Sequence, residues 1–246
     1  MHQNSKKSSA KKLSIVNGRS ICVNCKHKLS TLDLIPVFSW MFLRGKCRYC
    51  RKSISIQYPI IEILTAVLFV FSYHLWSYGL NGLNLVLFVF WLIILTNFIA
   101  LALYDFKWFI LPSKLIYWTF WFEILYLITS LIIEKDIQLA IGSIIGFIIL
   151  GGFFYVIFQV SKGSWIGGGD IRLGALLGFL VGGPLASILL LFGASLLGTV
   201  YALPFIAKGK LKGSSKVPFG PFLIISAFIV FFFGAKIISW YKGLFI

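Results

Sequence analysis

Acidic residues are scarce in this 246-residue chain, where seven Asp and Glu stand against 23 Lys and Arg. Charge of either sign is scarce too, at 12% of residues, while 59% are hydrophobic and the mean hydropathy is +0.93. So oily a composition excludes an ordinary soluble domain of this length and puts the chain in a lipid bilayer. The first 20 residues, MHQNSKKSSAKKLSIVNGRS, lack an apolar core. That excludes a secretory signal peptide or anchoring helix there and leaves a basic, polar lead-in over 1–20. A nucleotide-binding loop is also missing: the glycines of GGGD are followed by no Lys-Ser or Lys-Thr and are preceded by an apolar span rather than a strand.

What the chain does have is a succession of apolar runs, near 58–77, 83–104, 114–133, 137–160, 171–183, 185–206 and 218–236. Crossing about 30 Å of hydrocarbon takes about 20 helical residues. The runs therefore predict an all-α, polytopic membrane bundle of about seven transmembrane helices over 57–246. The run at 171–183 is the shortest, about 20 Å as a helix, and a re-entrant hairpin is its alternative. Twelve basic residues precede Ser53. If that region is cytosolic, Lys107, Lys114, Lys162, Arg172 and the lysines of 208–216 also fall inside, provided 171–183 crosses, while the outer loops hold Lys135 and little else. This positive-inside pattern accounts for the net charge of +16 without nucleic acid.

The four cysteines form CVNC (Cys22, Cys25) and CRYC (Cys47, Cys50), with 21 residues between the pairs. Two such knuckles supply four thiolates for a tetrahedral Zn²⁺ and predict a small cytosolic zinc-binding loop domain over 21–56, a segment with little apolar sequence of its own. Disulfides are disfavoured in a reducing cytosol, and a thioredoxin-like role fits one pair better than two matched ones. His27 is read as a surface residue.

In the predicted topology the span ending ALYDFKWFILP and the span starting after GGGD bring Asp105 and Asp170 to the same membrane level. Intramembrane acids are functional candidates by default, although a single acid at a helix end is more often a cap. Two carboxyls sharing one proton in a low-dielectric site divide the work of amide hydrolysis, one activating water and the other protonating the carbonyl oxygen. Gly167, Gly168 and Gly169 are expected to adopt backbone angles closed to other residues and to let a substrate backbone approach. Gly174 and Gly178, four apart, are expected to pack helices closely. Arg172 is expected to snorkel to the interface. Glu123, in mid-span, is expected to be neutral or hydrogen-bonded to a neighbouring helix, and Trp76 and Trp108 to be interfacial anchors.

Taken in order, the two CxxC pairs, LDLIPVFSWMFLRGKCRYCRKSISIQYPIIEILTA, YDFKWFILPSKL, GGGDIRLGALLG and VPFGPFL resemble the type IV prepilin peptidases. The resemblance covers most of the chain. It implies a multi-pass aspartic endopeptidase of the bacterial inner membrane, with N-terminal loop and active site toward the cytosol, that removes the basic leader from prepilins or pseudopilins. Asp105 and Asp170 match that family's two aspartates. Glu62 matches a recurrent Glu and is expected to orient the zinc loop or a methyl-transfer site, or to pair with a basic loop residue. The family often also methylates the new N-terminus with S-adenosylmethionine. Its usual first helix, whose acidic residue is linked to methylation, is replaced here by a Lys- and Ser-rich lead-in, so leader removal without methylation is expected. Ser113 stands where the family commonly has Asp.

Three rivals remain at this level. Another intramembrane aspartic protease shares Tyr104-Asp105 and the Gly-x-Gly-Asp pattern, but the CxxC pairs speak against it. A proton or cation transporter using the two aspartates predicts an internal repeat, which is not seen. A non-catalytic zinc-dependent adaptor would leave the acid pair incidental.

Overall fold

The computed structural model describes residues 19–209 and 217–244. The lead-in through residue 18 and the lysines of 210–216 lie outside the described residues. Two compact units divide the chain, one through Phe71 and one from Ser72.

The first unit is built on two loops of the same design. In each, the N–H of the first cysteine donates to the carbonyl five residues on, Cys22 to His27 at 3.0 Å and Cys47 to Lys52 at 2.8 Å. Its carbonyl accepts from the residue after the second cysteine, Lys26 at 2.9 Å and Arg51 at 3.0 Å. Lys26 and Arg51 both hold positive φ, 57° and 58°, and antiparallel bridges, Ile21 with Lys28 and Lys46 with Ser53, close the two loops. A 3-10 turn (Thr31–Leu34), a short α1 (Phe38–Phe42) and the long α2 (Gln57–Leu75) complete the region. Its apolar core is minimal: among the described residues of this unit, Cys47 and Pro59 are the only buried apolar side chains.

The second unit is a helical bundle of α3 (Gly82–Trp108), α4 (Ser113–Glu134), α5 (Gln138–Val160), α6 (Gly168–Val181), α7 (Pro184–Ala207) and α8 (Gly220–Gly243). Every apolar run expected to be a span is helical. Among the described residues six helices, α2 to α5, α7 and α8, are long and apolar enough to cross a membrane. The remaining one, α6, has 14 residues and is about 21 Å long.

Burial explains how so short a helix fits. Leu173 to Phe179 are all buried, and Leu173, Leu176 and Leu177 sit in a core cluster with Ile94, Phe98 and Leu101 of α3, Leu150 and Phe154 of α5, and Leu223 of α8. A helix apolar all round and walled by others meets protein rather than lipid. Its close fit to α5 rests on glycines. A Cβ at Gly178 would run into the Gly146 carbonyl, and one at Gly174 into the Phe154 ring, which is the close packing expected of that pair. At the far end Gly182 and Gly183, at φ 66° and 73°, reverse the chain; Gly183 N–H donates to the Gly142 carbonyl at 2.7 Å, and Pro184 opens α7. Trp76, half-buried just past the end of α2, packs edge-on to Phe88 with ring centroids 5.0 Å apart and its indole N–H buried. Trp108 is exposed, with the Lys107 ammonium 4.7 Å from its ring centroid.

Candidate active site

Asp105 lies in the last turn of α3. The helix stops there because Phe109 takes a left-handed conformation (φ 54°), its N–H closing on the Asp105 carbonyl at 2.9 Å, and the following Ile110-Leu111-Pro112 cannot continue it. A carboxylate at a helix C-terminus faces the unfavourable end of the macrodipole. The compensation comes from another helix: Gly220, first residue of α8, donates its N–H to Asp105 Oδ2 at 2.9 Å. The residue is 6% exposed. A Cβ at Gly220 would sit 2.6 Å from that oxygen and 3.3 Å from Leu173 Cδ2, so only glycine admits the carboxylate so close to the α8 backbone.

Asp170 lies in the first turn of α6, where the helix dipole favours a negative charge. Its Oδ2 accepts the Gly167 N–H at 3.0 Å, and its own N–H donates to the Gly167 carbonyl at 3.1 Å. It is half-buried. Leu173, one turn further along α6, reaches the Gly220 position that holds Asp105. The Arg172 guanidinium, exposed, donates to the Ser113 hydroxyl at the start of α4 and so ties the start of α6 to a neighbouring helix. The beginnings of α4, α6 and α8 and the end of α3 thus converge, with both aspartates at one end of the bundle. Among the described residues Oδ2 of each is held by a backbone N–H, and neither Oδ1 takes a hydrogen bond.

The three glycines before Asp170 play unequal parts. None has positive φ, which departs from the expected special backbone angles. Gly168 has open space where a side chain would stand, whereas a Cβ on Gly169 would meet Leu111 Cβ at 3.0 Å. Gly169 is therefore small for the sake of Leu111, and Gly168 is the one with room beside it. Gly220 was not singled out from sequence; its only signal is its place in VPFGPFL.

In the first unit, the sulfurs of Cys22, Cys25, Cys47 and Cys50 all lie within 4.8 Å of one another, and none is in a disulfide. A tetrahedral ion with Zn–S bonds of about 2.3 Å needs sulfurs about 3.8 Å apart. The Cys22 and Cys50 sulfurs are already at 3.9 Å, so the four residues fit a metal. The backbone N–H groups of Cys25 and Asn24 pull the Cys22 thiol down to about 6. Cys25 is pushed up to about 11; the His27 N–H opposes this, but desolvation and the neighbouring thiols outweigh it. His27 is exposed, its ring 3.7 Å from that of Tyr49.

Glu62 accepts the Val37 N–H at 2.7 Å. Val37 follows Pro36, precedes α1 and has φ 60°, costly for a β-branched residue. The Glu62 carboxylate thus holds a strained loop backbone in place. Asp33 is tied to the second knuckle by Arg48 Nε at 2.7 Å. Burial raises its carboxyl, but Arg48 and the Ser30 N–H and hydroxyl more than offset this and hold it below the usual value. A cavity of about 500 Å³ lies between the knuckles and the start of α2, lined among others by Asp33, Trp40, Tyr58 and Glu62.

Two family models match the chain. Residues 4–76 match the "Bacterial Peptidase A24 N-terminal domain" and residues 88–203 the "Type IV leader peptidase family". A prepilin leader peptidase/N-methyltransferase of Aeromonas salmonicida (strain A449) is 30% identical over 223 residues, 91% of this chain and 74% of that protein. The chain belongs to the type IV leader peptidase family. A relative of the same description from Dichelobacter nodosus is 34% identical over 89% of this chain and 72% of its own length. The one from Bacillus subtilis (strain 168) is 31% identical over 93% and 87%. No solved structure matches. As a member of this family the chain is a peptidase, and its long apolar helices make it a multi-pass membrane protein.

Proposed function

We propose that this peptidase removes the basic leader of type IV prepilins or pseudopilins at the cytosolic face of the bacterial inner membrane, with Asp105 and Asp170 as its catalytic pair. The observation that carries the reading is that both aspartates lie at one end of the bundle, each held by a backbone N–H through Oδ2, while among the described residues neither Oδ1 takes a hydrogen bond. In this mechanism the ionised carboxylate takes a proton from water as the water oxygen bonds to the scissile carbonyl carbon. The protonated partner donates to the carbonyl oxygen, and the C–N bond then breaks as the amine takes up a proton. The titration belongs to the pair. Gly168, with open space beside it, is where a substrate backbone approaches. The positive-inside distribution of lysines and arginines supports the cytosolic orientation. Purified protein mixed with a prepilin from a cell that encodes such a peptidase is expected to give mature pilin and a free leader, read by mass spectrometry. An intact prepilin, or a cut elsewhere, would overturn the reading.

The metal of the four cysteines is zinc in this proposal: the knuckles present four sulfurs, the set that structural zinc sites use. A second activity, methylation of the mature N-terminus, runs against the expectation of leader removal without methylation and is supported by the cavity beside the knuckles. S-adenosylmethionine supplies an electrophilic methyl on a sulfonium, and a cavity of about 500 Å³ offering Trp40, Tyr58 and the carboxylates of Asp33 and Glu62 suits a cationic, adenine-bearing molecule. A mature pilin about 14 Da heavier than its unmodified sequence, formed only with S-adenosylmethionine, is the expected signature.

A further inference from the structure

The first turns of α4 carry Lys114, Tyr117, Trp118 and Trp121, whose spacing puts all four on one face of the helix. Together they line an open depression of about 590 Å³. It lies on the flank of a helix long and apolar enough to cross a membrane, at the end where the aspartates sit. All four side chains are exposed, the three rings by 55% to 62%.

Elsewhere in the bundle, large polar-edged rings find partners within the protein. Trp91 stacks on Phe231 and donates its indole N–H to the Ser72 hydroxyl at 3.0 Å, and Trp108 has the Lys107 ammonium over its ring. On this face of α4 the partners are missing. Among the described residues Lys114 has no carboxylate and no acceptor, and neither the Tyr117 hydroxyl nor the indole N–H of Trp118 or Trp121 makes a hydrogen bond. The depression thus offers an ammonium, a hydroxyl and two indole N–H groups, with no acid among them. A cation in the first turn of a helix also sits at the positive end of the macrodipole, so Lys114 gains from an anion beside it.

Depth decides which anion. At 1.5 Å per residue, Tyr117 and Trp118 lie about 5 Å and Trp121 about 10 Å further along α4 than Lys114. A free phosphate would use only the Lys114 end. A phospholipid presents its phosphate, then its ester oxygens, then its acyl chains, in the order in which this face presents an ammonium, polar-edged rings and a deeper ring. We propose that this face of α4 is a binding site for one anionic phospholipid, with its phosphate at Lys114 and its acyl chains along Trp118 and Trp121. The site goes beyond peptide cleavage and shares no residue with the proposed catalytic pair.

The test uses the purified full chain in bilayers of phosphatidylcholine into which phosphatidylglycerol with dibrominated acyl chains is titrated, since bromine quenches an indole that it touches. The signal from Trp118 and Trp121 is the difference between wild type and a Trp118→Phe, Trp121→Phe variant, both conservative changes at exposed positions. That signal is expected to be quenched at about a fivefold lower fraction of brominated phosphatidylglycerol than of brominated phosphatidylcholine, the worth of one lysine at a charged membrane surface. Lys114→Gln is expected to abolish the preference, and Lys162→Gln, which removes an exposed lysine outside the depression, to keep it. Inorganic phosphate at matched ionic strength is expected to change nothing. Equal quenching by the two lipids, a preference that survives Lys114→Gln, or one that inorganic phosphate removes would each overturn the proposal. None of these readouts involves a pilin, so they are independent of the proposed substrate.

Discussion

The two units are held together by different means. Among the described residues the first has Cys47 and Pro59 as its only buried apolar side chains and four sulfurs within 4.8 Å, whereas the second buries whole helix faces, with α6 enclosed from Leu173 to Phe179. A polar segment that cannot build a core substitutes ligand bonds for burial. A bundle in lipid has no hydrophobic drive between helices and relies on glycine-mediated contact and backbone donors. Even the carboxylates follow this division. Asp33 and Glu62 fasten loops of the first unit, by an ion pair and by a bond to the strained Val37, while Asp105 and Asp170 are fastened by helix starts of the second.

The comparison predicts which perturbation each unit feels. The largest effect belongs to the metal: zinc binding to comparable sites is worth about 10–16 kcal/mol at neutral pH. A strong chelator, or Cys47→Ser, is therefore expected to unfold the first unit, seen as protease cuts before Phe71 and loss of stoichiometric zinc, while bundle helicity by circular dichroism stays. Simultaneous melting of the bundle would break the division. Gly178→Ala comes next. Its methyl would run into the Gly146 carbonyl, and backbone cannot easily yield, so the bundle should lose about 3 kcal/mol with zinc content unchanged. Gly220→Ala should displace Asp105 with little effect on folding, lowering leader cleavage about 100-fold, the scale of a 1 Å misplacement. The smallest effect is expected of Glu62→Ala: the lost bond to Val37 should destabilise the first unit by about 1–2 kcal/mol, measured as greater sensitivity to chelator at unchanged bundle Tm.

Much of this was legible in the sequence, for reasons that can be named. The apolar runs report helices directly, because length and hydropathy are properties of contiguous residues, and every one is helical. The CxxC knuckles were legible because their ligands are close in sequence and chemically distinctive. Asp105 and Asp170 stood out because acids are rare among apolar residues. Partners distant in sequence were not legible. Gly220 holds Asp105 from 115 residues away through a backbone N–H, which has no compositional signature. Val37 is likewise an anonymous backbone donor to Glu62. The glycines of GGGD gave an expectation of unusual backbone, yet Gly169 is explained by Leu111, a contact between segments that no local pattern encodes. The acid Glu123 was visible, but its complete burial depends on how the helices around it pack.

The central claim, that two aspartates at one end of the bundle carry the peptidase chemistry, is tested most directly by leader cleavage in Asp105→Asn and Asp170→Asn proteins purified alongside wild type. Each amide keeps the shape and an acceptor oxygen for the Gly220 or Gly167 N–H but cannot relay a proton. Both variants should retain membrane insertion, zinc and helicity, and cleavage should fall at least about 1,000-fold. Leader release at more than about a tenth of the wild-type rate in either variant would contradict the account.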